Sequence, residues 1–236
     1  MLNIFQEQKN NQQKFKEMNV CKRKSLLRRL LLEIESSIDE ITDVLNKDYC
    51  KSPEETKLTE IYPAITAIKF ILSNLESWMH STKVDAPLAY LGTTSEIVYE
   101  PKGVCLIIAP WNYPFLLVMS PLAHAIAAGN AAMVKPSEYT PHTAALLQKI
   151  LSKVFTKDHV AVIEGDHETA AALLKLNFDH IFFTGSPAVG KLVMKAAAEN
   201  LTSVTLELGG KSPVIIGETA NIKVAAQKVM WAKLLN

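Results

Sequence analysis

Leu27, Leu30, Leu31, Ile34, Ile38, Ile41 and Leu45 recur at intervals of three and four between charged residues. That is the period of one helix face, and it predicts a single long amphipathic helix. Its basic start, Lys22-Arg23-Lys24 with Arg28-Arg29, reads as a solvated face. Ser52 ahead of Pro53-Glu54-Glu55 marks an N-cap with proline in the first helical position, opening a second helix that runs towards Trp78. Glu96 to Tyr99 and Gly103 to Ala109 then read as strands around a tight turn at Glu100-Pro101-Lys102, in an arm that begins near Ala86. Beyond the arm, strands are expected over 104–109, 131–135, 160–164, 180–184 and 203–208, with helices over 115–128, 141–154, 167–175 and 188–200 between them. Thr140 and Asp166 stand where two of those helices need caps. Strands that are apolar throughout and separated by amphipathic helices imply a parallel sheet covered on both faces, an α/β doubly wound fold. A further strand over 213–217 is expected, and then a helix from Asn221 with Val224, Ala225, Val229, Trp231 and Leu235 as its apolar positions.

Composition narrows the ligands. A chain of 236 residues that is 48% hydrophobic can bury a sizeable core. Its 25 basic and 24 acidic residues nearly cancel, which removes the field that nucleic acid or an anionic membrane would need and leaves small molecules as ligands. Cys21, Cys50 and Cys105 show no pairing or metal spacing, which suits a reducing compartment, the cytoplasm. The six histidines fall into no zinc pattern, so no metal site is expected. Met1 to Phe15 is rich in Gln, Asn and Lys, has no apolar core and is no secretory signal. No Lys, Arg, Asp or Glu occurs from Gly103 to Val134, a span long enough to cross a bilayer. Pro110, Asn112, Pro114, Pro121, Gly129 and Asn130 interrupt it, so it reads as strand, turn, helix and strand, and membrane association is not indicated.

Four segments could carry chemistry. Thr205-Leu206-Glu207-Leu208-Gly209-Gly210-Lys211 ends an apolar strand on a carboxylate and a glycine pair. Between two leucines Glu207 is expected to have a raised pKa, as a general base needs, unless it simply faces outward. Phe183-Thr184-Gly185-Ser186-Pro187-Ala188-Val189-Gly190-Lys191 runs from strand to helix, where backbone N–H groups and the helix dipole favour a phosphate. Gly185, Gly190 and Lys191 also match the start of a Walker A motif, but Leu192 stands where a magnesium-holding hydroxyl is required. An ordinary strand-to-helix turn is the plainer alternative. Lys135 and Glu138 in Val134-Lys135-Pro136-Ser137-Glu138 follow a strand end, the crevice position of α/β sheets, or form only a surface ion pair. Asn112, in Ala109-Pro110-Trp111-Asn112-Tyr113, is an uncharged donor suited to a developing alkoxide, or a residue satisfying a turn.

In this order the four segments closely resemble the aldehyde dehydrogenase superfamily, most like its class 3 or fatty-aldehyde branch, from the first long helix to Asn236. The resemblance implies a Rossmann-like cofactor domain that binds NAD, with NADP not excluded, and an aldehyde substrate. It assigns Lys135 and Glu138 to the adenosine ribose, and Gly185, Ser186 and Gly190 to the phosphates. Leu208 and Gly209 fall beside the nicotinamide, Asn112 in the oxyanion hole, and Glu207 becomes the base that activates water against a thioester. The implied organisation is an N-terminal helical layer over 1–85, a bridging arm over 86–102, a dinucleotide-binding domain over 103–212 and the start of a catalytic domain over 213–236. The arm implies a homodimer for the complete protein. In the family a cysteine thiolate attacks the aldehyde, and that cysteine lies beyond Asn236. The chain alone is therefore expected to be inactive, as the N-terminal part of an NAD(P)-dependent aldehyde dehydrogenase. The alternative is an incompetent dinucleotide-binding module or subunit decoy.

Overall fold

The computed structural model describes all 236 residues. The N-terminal layer comprises α1 (Leu2–Lys16), α2 (Val20–Ser36), α3 (Ile38–Tyr49), the short α4 (Pro53–Thr56) and α5 (Tyr62–Met79). A small hairpin follows, β1 (Thr82–Val84) and β2 (Ser95–Ile97). Then strands and helices alternate: β3 (Val104–Ile108), α6 (Leu116–Ala127), β4 (Ala131–Lys135), α7 (Pro141–Val154), β5 (Val160–Val162), α8 (His167–Leu174), β6 (His180–Gly185), α9 (Pro187–Ala198) and β7 (Ser203–Leu208). A last helix, α10, spans Ile222–Leu234.

The five long strands form one parallel sheet in the order β5-β4-β3-β6-β7. Because side chains alternate across a strand, the sheet builds two cores. Ile107, Ala132, Val134 and Val160 face α6 and α7, with α2, α3 and α5 packed beyond them. Val104, Leu106, Ile108, Ala131, Met133, Ile181 and Phe183 face the other way and share a core with Phe5 and Phe15 of α1, Leu173 of α8 and Val193 of α9. The uncharged stretch from Gly103 to Val134 becomes β3, a loop, α6 and β4, and no helix is long and apolar enough to cross a membrane.

The polar N-terminal tract is a helix. Phe5, Gln8 and Phe15 lie three and seven residues apart on its buried stripe, with a glutamine in an inward position. Gln8 Nε2 donates to the carbonyls of Ala132 at 3.0 Å and Lys157 at 3.1 Å, and Lys9 Nζ pairs with Asp179 at 2.9 Å. Arg23, expected on a solvated face, is buried instead. Its guanidinium donates to the carbonyls of Lys16, Met18 and Ala127, tying together the ends of α1 and α6. Gly129 lies under it with φ +86°, and a Cβ there would come within 2.5 Å of the guanidinium.

Five further expectations change. The long helix breaks at Ser37, so that α2 packs on α5 and α7 while α3 lies along α7. The helix from Pro53 is interrupted by a π-turn over Lys57–Ile61, with Ser52 Oγ capping its start by accepting from Glu55 N–H at 3.2 Å. β2 pairs with β1, in the register Lys83↔Glu96, because both edges of β3 are already taken by β4 and β6. Residues 213–217 are exposed and form no strand, and the outer edge of β7 stays unpaired. Of the two helix caps, Asp166 accepts from Glu168 and Thr169 N–H as expected, whereas Thr140 makes no cap and Asp48 of α3 accepts from His142 and Thr143 N–H instead.

His159 clamps the end of α1. Its ring stacks on Phe15 at 4.0 Å and meets the edge of Phe155 at 5.4 Å. Burial lowers its pKa to about 4, against opposition from a hydrogen bond to the Asn130 main chain and the Asp158 charge, with Lys14 adding to the fall. The native state therefore holds His159 neutral where the unfolded chain binds a proton, so this contribution to stability is complete above about pH 6.5 and is lost as pH falls towards 4. Urea unfolding across that range should lose ~3 kcal/mol more for the parent than for His159→Phe. Equal pH slopes for the two would show that His159 is not the group involved.

Candidate functional site

The strand order reverses direction at the β3–β6 boundary. From β3 the chain builds outward to β4 and β5, then returns to add β6 and β7 on the other side. Loops leaving the carboxyl ends of β3 and β6 diverge there, and a crevice opens between them. One loop carries Pro110, Trp111 and Asn112. The other carries Gly185 and Ser186. In register with β6 lies β7, with Thr184 opposite Glu207 and Gly185 opposite Leu208.

A cavity of about 920 Å³ occupies this position, beside α6 and over the part of the sheet that no helix covers. Asn112, Gly185, Ser186, Glu207, Leu208 and Gly209 all line it. Glu207 points to the same face as Phe182 and Thr184, and its side chain is exposed, so the apolar surroundings expected for it are not supplied by these residues. Asn112 is half-buried. Thr184 and Phe182 complete the floor, and the period of two along β6 was the signal that could have found them.

Ser186 is the N-cap of α9, its Oγ accepting from Val189 N–H at 3.3 Å, while Gly190 N–H returns to the Ser186 carbonyl at 2.9 Å. Pro187, first in the helix, has no N–H. The Ala188 amide and the helix dipole are what this end offers an anion. Gly190 does not line the cavity. It is buried between α9 and β7, where an added Cβ would come within 2.8 Å of Leu208 Cδ2, so its role is to let the helix approach the strand. Lys191 is exposed on α9.

Lys135 and Glu138 also lie outside the cavity, one strand away at the end of β4. Ala109 N–H donates to the Lys135 carbonyl at 3.1 Å, which ties that strand end to the loop of Asn112. Lys135 is buried and its Nζ donates to Glu138 Oε2 at 2.7 Å. Burial alone pushes the Glu138 carboxyl up, but the hydrogen bond from Lys135, its own backbone N–H and the Lys135 charge outweigh it, and the net shift is downward. An ionised carboxylate held on a buried lysine is a built acceptor for hydroxyl groups.

The three thiols are poorly placed for attack in this crevice. Cys21 and Cys50 are exposed in the N-terminal layer. Cys105 borders the opposite end of the cavity with Lys102 and His180, four residues back along β3 from Ala109, or about 13 Å of strand. Burial pushes its pKa up to about 12, with Asp179 adding and Lys102 and Lys9 opposing. No group of three or more His, Cys, Asp and Glu side chains that could hold a metal ion is present.

The sequence reading missed the support of the Asn112 loop. Glu60 and Lys51 form a fully enclosed ion pair at 2.9 Å, and Glu60 Oε2 accepts from Phe115 N–H at 2.9 Å and Leu116 N–H at 3.3 Å. Tyr49 Oη donates to the Trp111 carbonyl. The available signal was a charged residue at helical spacing from the inward Thr56 and Ala64.

Known proteins fit this arrangement. The family described as "Aldehyde dehydrogenase family" matches residues 3–236. The 4,4'-diaponeurosporen-aldehyde dehydrogenase of Staphylococcus aureus is 47% identical over 214 residues, covering 91% of this chain and 47% of that protein. Aldehyde dehydrogenase family 3 member A2 of Macaca fascicularis is 42% identical, covering 89% of this chain and 43% of that one. The substrate-bound structure of Staphylococcus aureus AldH superposes with a TM-score of 0.92 at 45% identity, over 98% of this chain and 50% of its own. A Mycobacterium tuberculosis aldehyde dehydrogenase complexed with NAD+ gives a TM-score of 0.80 at 28% identity, over 89% of this chain and 43% of its own. The chain spans about half the length of the curated relatives it matches. With the fold, the motif order and the match over residues 3–236 in agreement, the chain belongs to the aldehyde dehydrogenase family.

Proposed function

We propose that these residues form the cofactor half of an enzyme that oxidises an aldehyde to a carboxylic acid with a nicotinamide dinucleotide. The observation that supports this reading is the convergence of an amide, a carboxylate and a helix N-terminus on one cavity, Asn112, Glu207 and Ser186. The residues fit the cofactor. Gly185 and the Ala188 amide at the start of α9 would meet its phosphates, Gly190 lets that helix sit close to the sheet, and Lys135 with Glu138 would hold the adenosine ribose. Leu208 and Gly209 would border the nicotinamide, which supplies the hydride acceptor when bound.

Asn112 donates its amide N–H to the oxygen that gains charge as the aldehyde carbonyl is attacked, an interaction of several kcal/mol where water is excluded. Glu207 takes a proton from water in the step that releases the acid. The attacking thiol is not among Cys21, Cys50 and Cys105, by the placement given above. Glu138 beside the ribose favours NAD, because its charge would repel a 2'-phosphate. The exposed hairpin β1–β2 is the surface we assign to a homodimer contact. Three free thiols suit the cytoplasm.

Calorimetric titration with NAD tests the cofactor reading directly. The 236-residue chain should bind NAD, Lys135→Met should weaken binding about tenfold by removing a charged hydrogen-bond donor, and Glu138→Gln should narrow the gap between NAD and NADP. Absence of any heat on titration of the folded chain would sink the proposal. In the complete protein, Glu207→Gln should leave the first-turnover burst of NADH intact and slow the steady state by about 10² or more, the usual worth of a general base. Loss of the burst itself would move Glu207 to an earlier step.

A further inference from the structure

Lys51 and Glu60 are the most deeply enclosed charges in the chain, with side chains 3% and 0% exposed. Such a pair is costly to bury, and well-packed apolar residues often replace one without loss of stability, so stability does not explain its presence. Its contacts do point to a use. Beyond the pair itself and the Tyr49 ring, 6.0 Å from Lys51 Nζ, its side-chain contacts run to one region, the loop between β3 and α6 that carries Asn112 with the first residue of α6, and to Asn236. Glu60 Oε2 accepts from the Phe115 and Leu116 amides at the start of α6. Lys51 Nζ lies 4.6 Å from the centre of the Tyr113 ring and donates to Asn236 Oδ1 at 2.9 Å, and that oxygen also accepts from Tyr113 N–H at 3.4 Å.

Two further features agree. Tyr113 has φ +45°, a conformation that a bulky residue keeps only where its surroundings hold it. Glu60 itself sits in the π-turn of Lys57–Ile61, an insertion that re-phases the helix and brings its carboxylate to the α6 amides, and such turns gather at functional sites.

We propose that Lys51 and Glu60 are positioning residues that fix the Asn112 amide in its donating geometry. This rests on the reading of Asn112 as the oxyanion donor. The pair holds the loop at Tyr113, Phe115 and Leu116, while Tyr49 holds it at the Trp111 carbonyl, so Asn112 lines the cavity between two anchored neighbours.

A double-mutant cycle in the complete protein, with NAD and a straight-chain aldehyde such as hexanal, tests it. Asn112→Ala should lower kcat by about 10²-fold or more. Glu60→Gln alone should lower kcat about tenfold with NAD affinity unchanged, and should add nothing in the Asn112→Ala background. The double variant Lys51→Met/Glu60→Leu leaves no lone buried charge. It still leaves the Phe115 and Leu116 amides without an acceptor, so it should fold with a melting temperature lowered by several degrees and lose kcat at temperatures where it is fully folded. Hydrogen exchange of the folded 236-residue chain should show faster exchange at the Phe115 and Leu116 amides in Glu60→Gln, with β4 amides unaltered. Equal losses from Glu60→Gln in both backgrounds, or parent kcat in the double variant, would overturn the positioning role while leaving Asn112 as donor. Parent kcat in Asn112→Ala would remove the oxyanion reading itself, and the positioning role with it.

Discussion

Everything at the site depends on β3 being paired along both edges. Its register with β4, Ile108 opposite Lys135, and with β6, Ile108 opposite Phe183, leaves the chain no choice but to reach the two flanks by crossovers that start in opposite directions. Helices pack over the strands on either side, and at the boundary neither can close the gap. The loop carrying Asn112 and the turn at Gly185 therefore open towards each other for a topological reason. β7 then adds to β6 with Glu207 opposite Thr184, which brings a carboxylate to the same end from a residue more than ninety positions away from Asn112.

Much of this was legible because the signals were local. Strands at 131–135 and 203–208 and the helix at 141–154 were bounded where the structure has them, since each is a continuous apolar or amphipathic run punctuated by glycine, proline or a polar cluster. Asn112, Gly185, Glu207 and Gly209 could be grouped because each follows or ends such a strand, and parallel strands end together. What stayed hidden was set by partners far along the chain. α1 looks polar because Gln8 does inside the protein what a leucine would do on a simpler face, while satisfying the carbonyls of Ala132 in β4 and of Lys157 in the loop before β5. Arg23 was misread for the same reason: its three carbonyl acceptors come from residues 16, 18 and 127, and only the last of them closes the fold.

The hairpin shows how a pairing rule can overrule adjacency. Ser95–Ile97 lies just before β3, and a strand beside it is the natural first guess. A strand has two edges, however, and parallel partners β4 and β6 fill both with buried apolar neighbours on each face. β2 can find its ladder only with the earlier residues Thr82–Val84. Edge occupancy does not account for residues 213–217: Val214, Ile215 and Ile216 have the composition of a strand, yet they do not pair with the free edge of β7.

The exposed state of Glu207 bears on how the site can work. In water two unit charges 4 Å apart interact by about 1 kcal/mol, and near a protein surface with an effective dielectric of 20 by about 4 kcal/mol. In the roles proposed for them, Asn112 as donor and Glu207 as base would thus gain most of their effect only when the open face of β6 and β7 is covered. Leu208 borders that face, and further along the chain Val214, Ile215 and Ile216 and, on α10, Met230, Trp231 and Leu234 are also exposed to solvent. Apolar surface of this extent is seldom left in water. Positioning and activation are therefore separable in this fold. On the proposed reading the Lys51–Glu60 pair and the β3–β6 boundary position the amide and carboxylate, whereas the dielectric that would make them effective depends on covering a face that these strands leave bare.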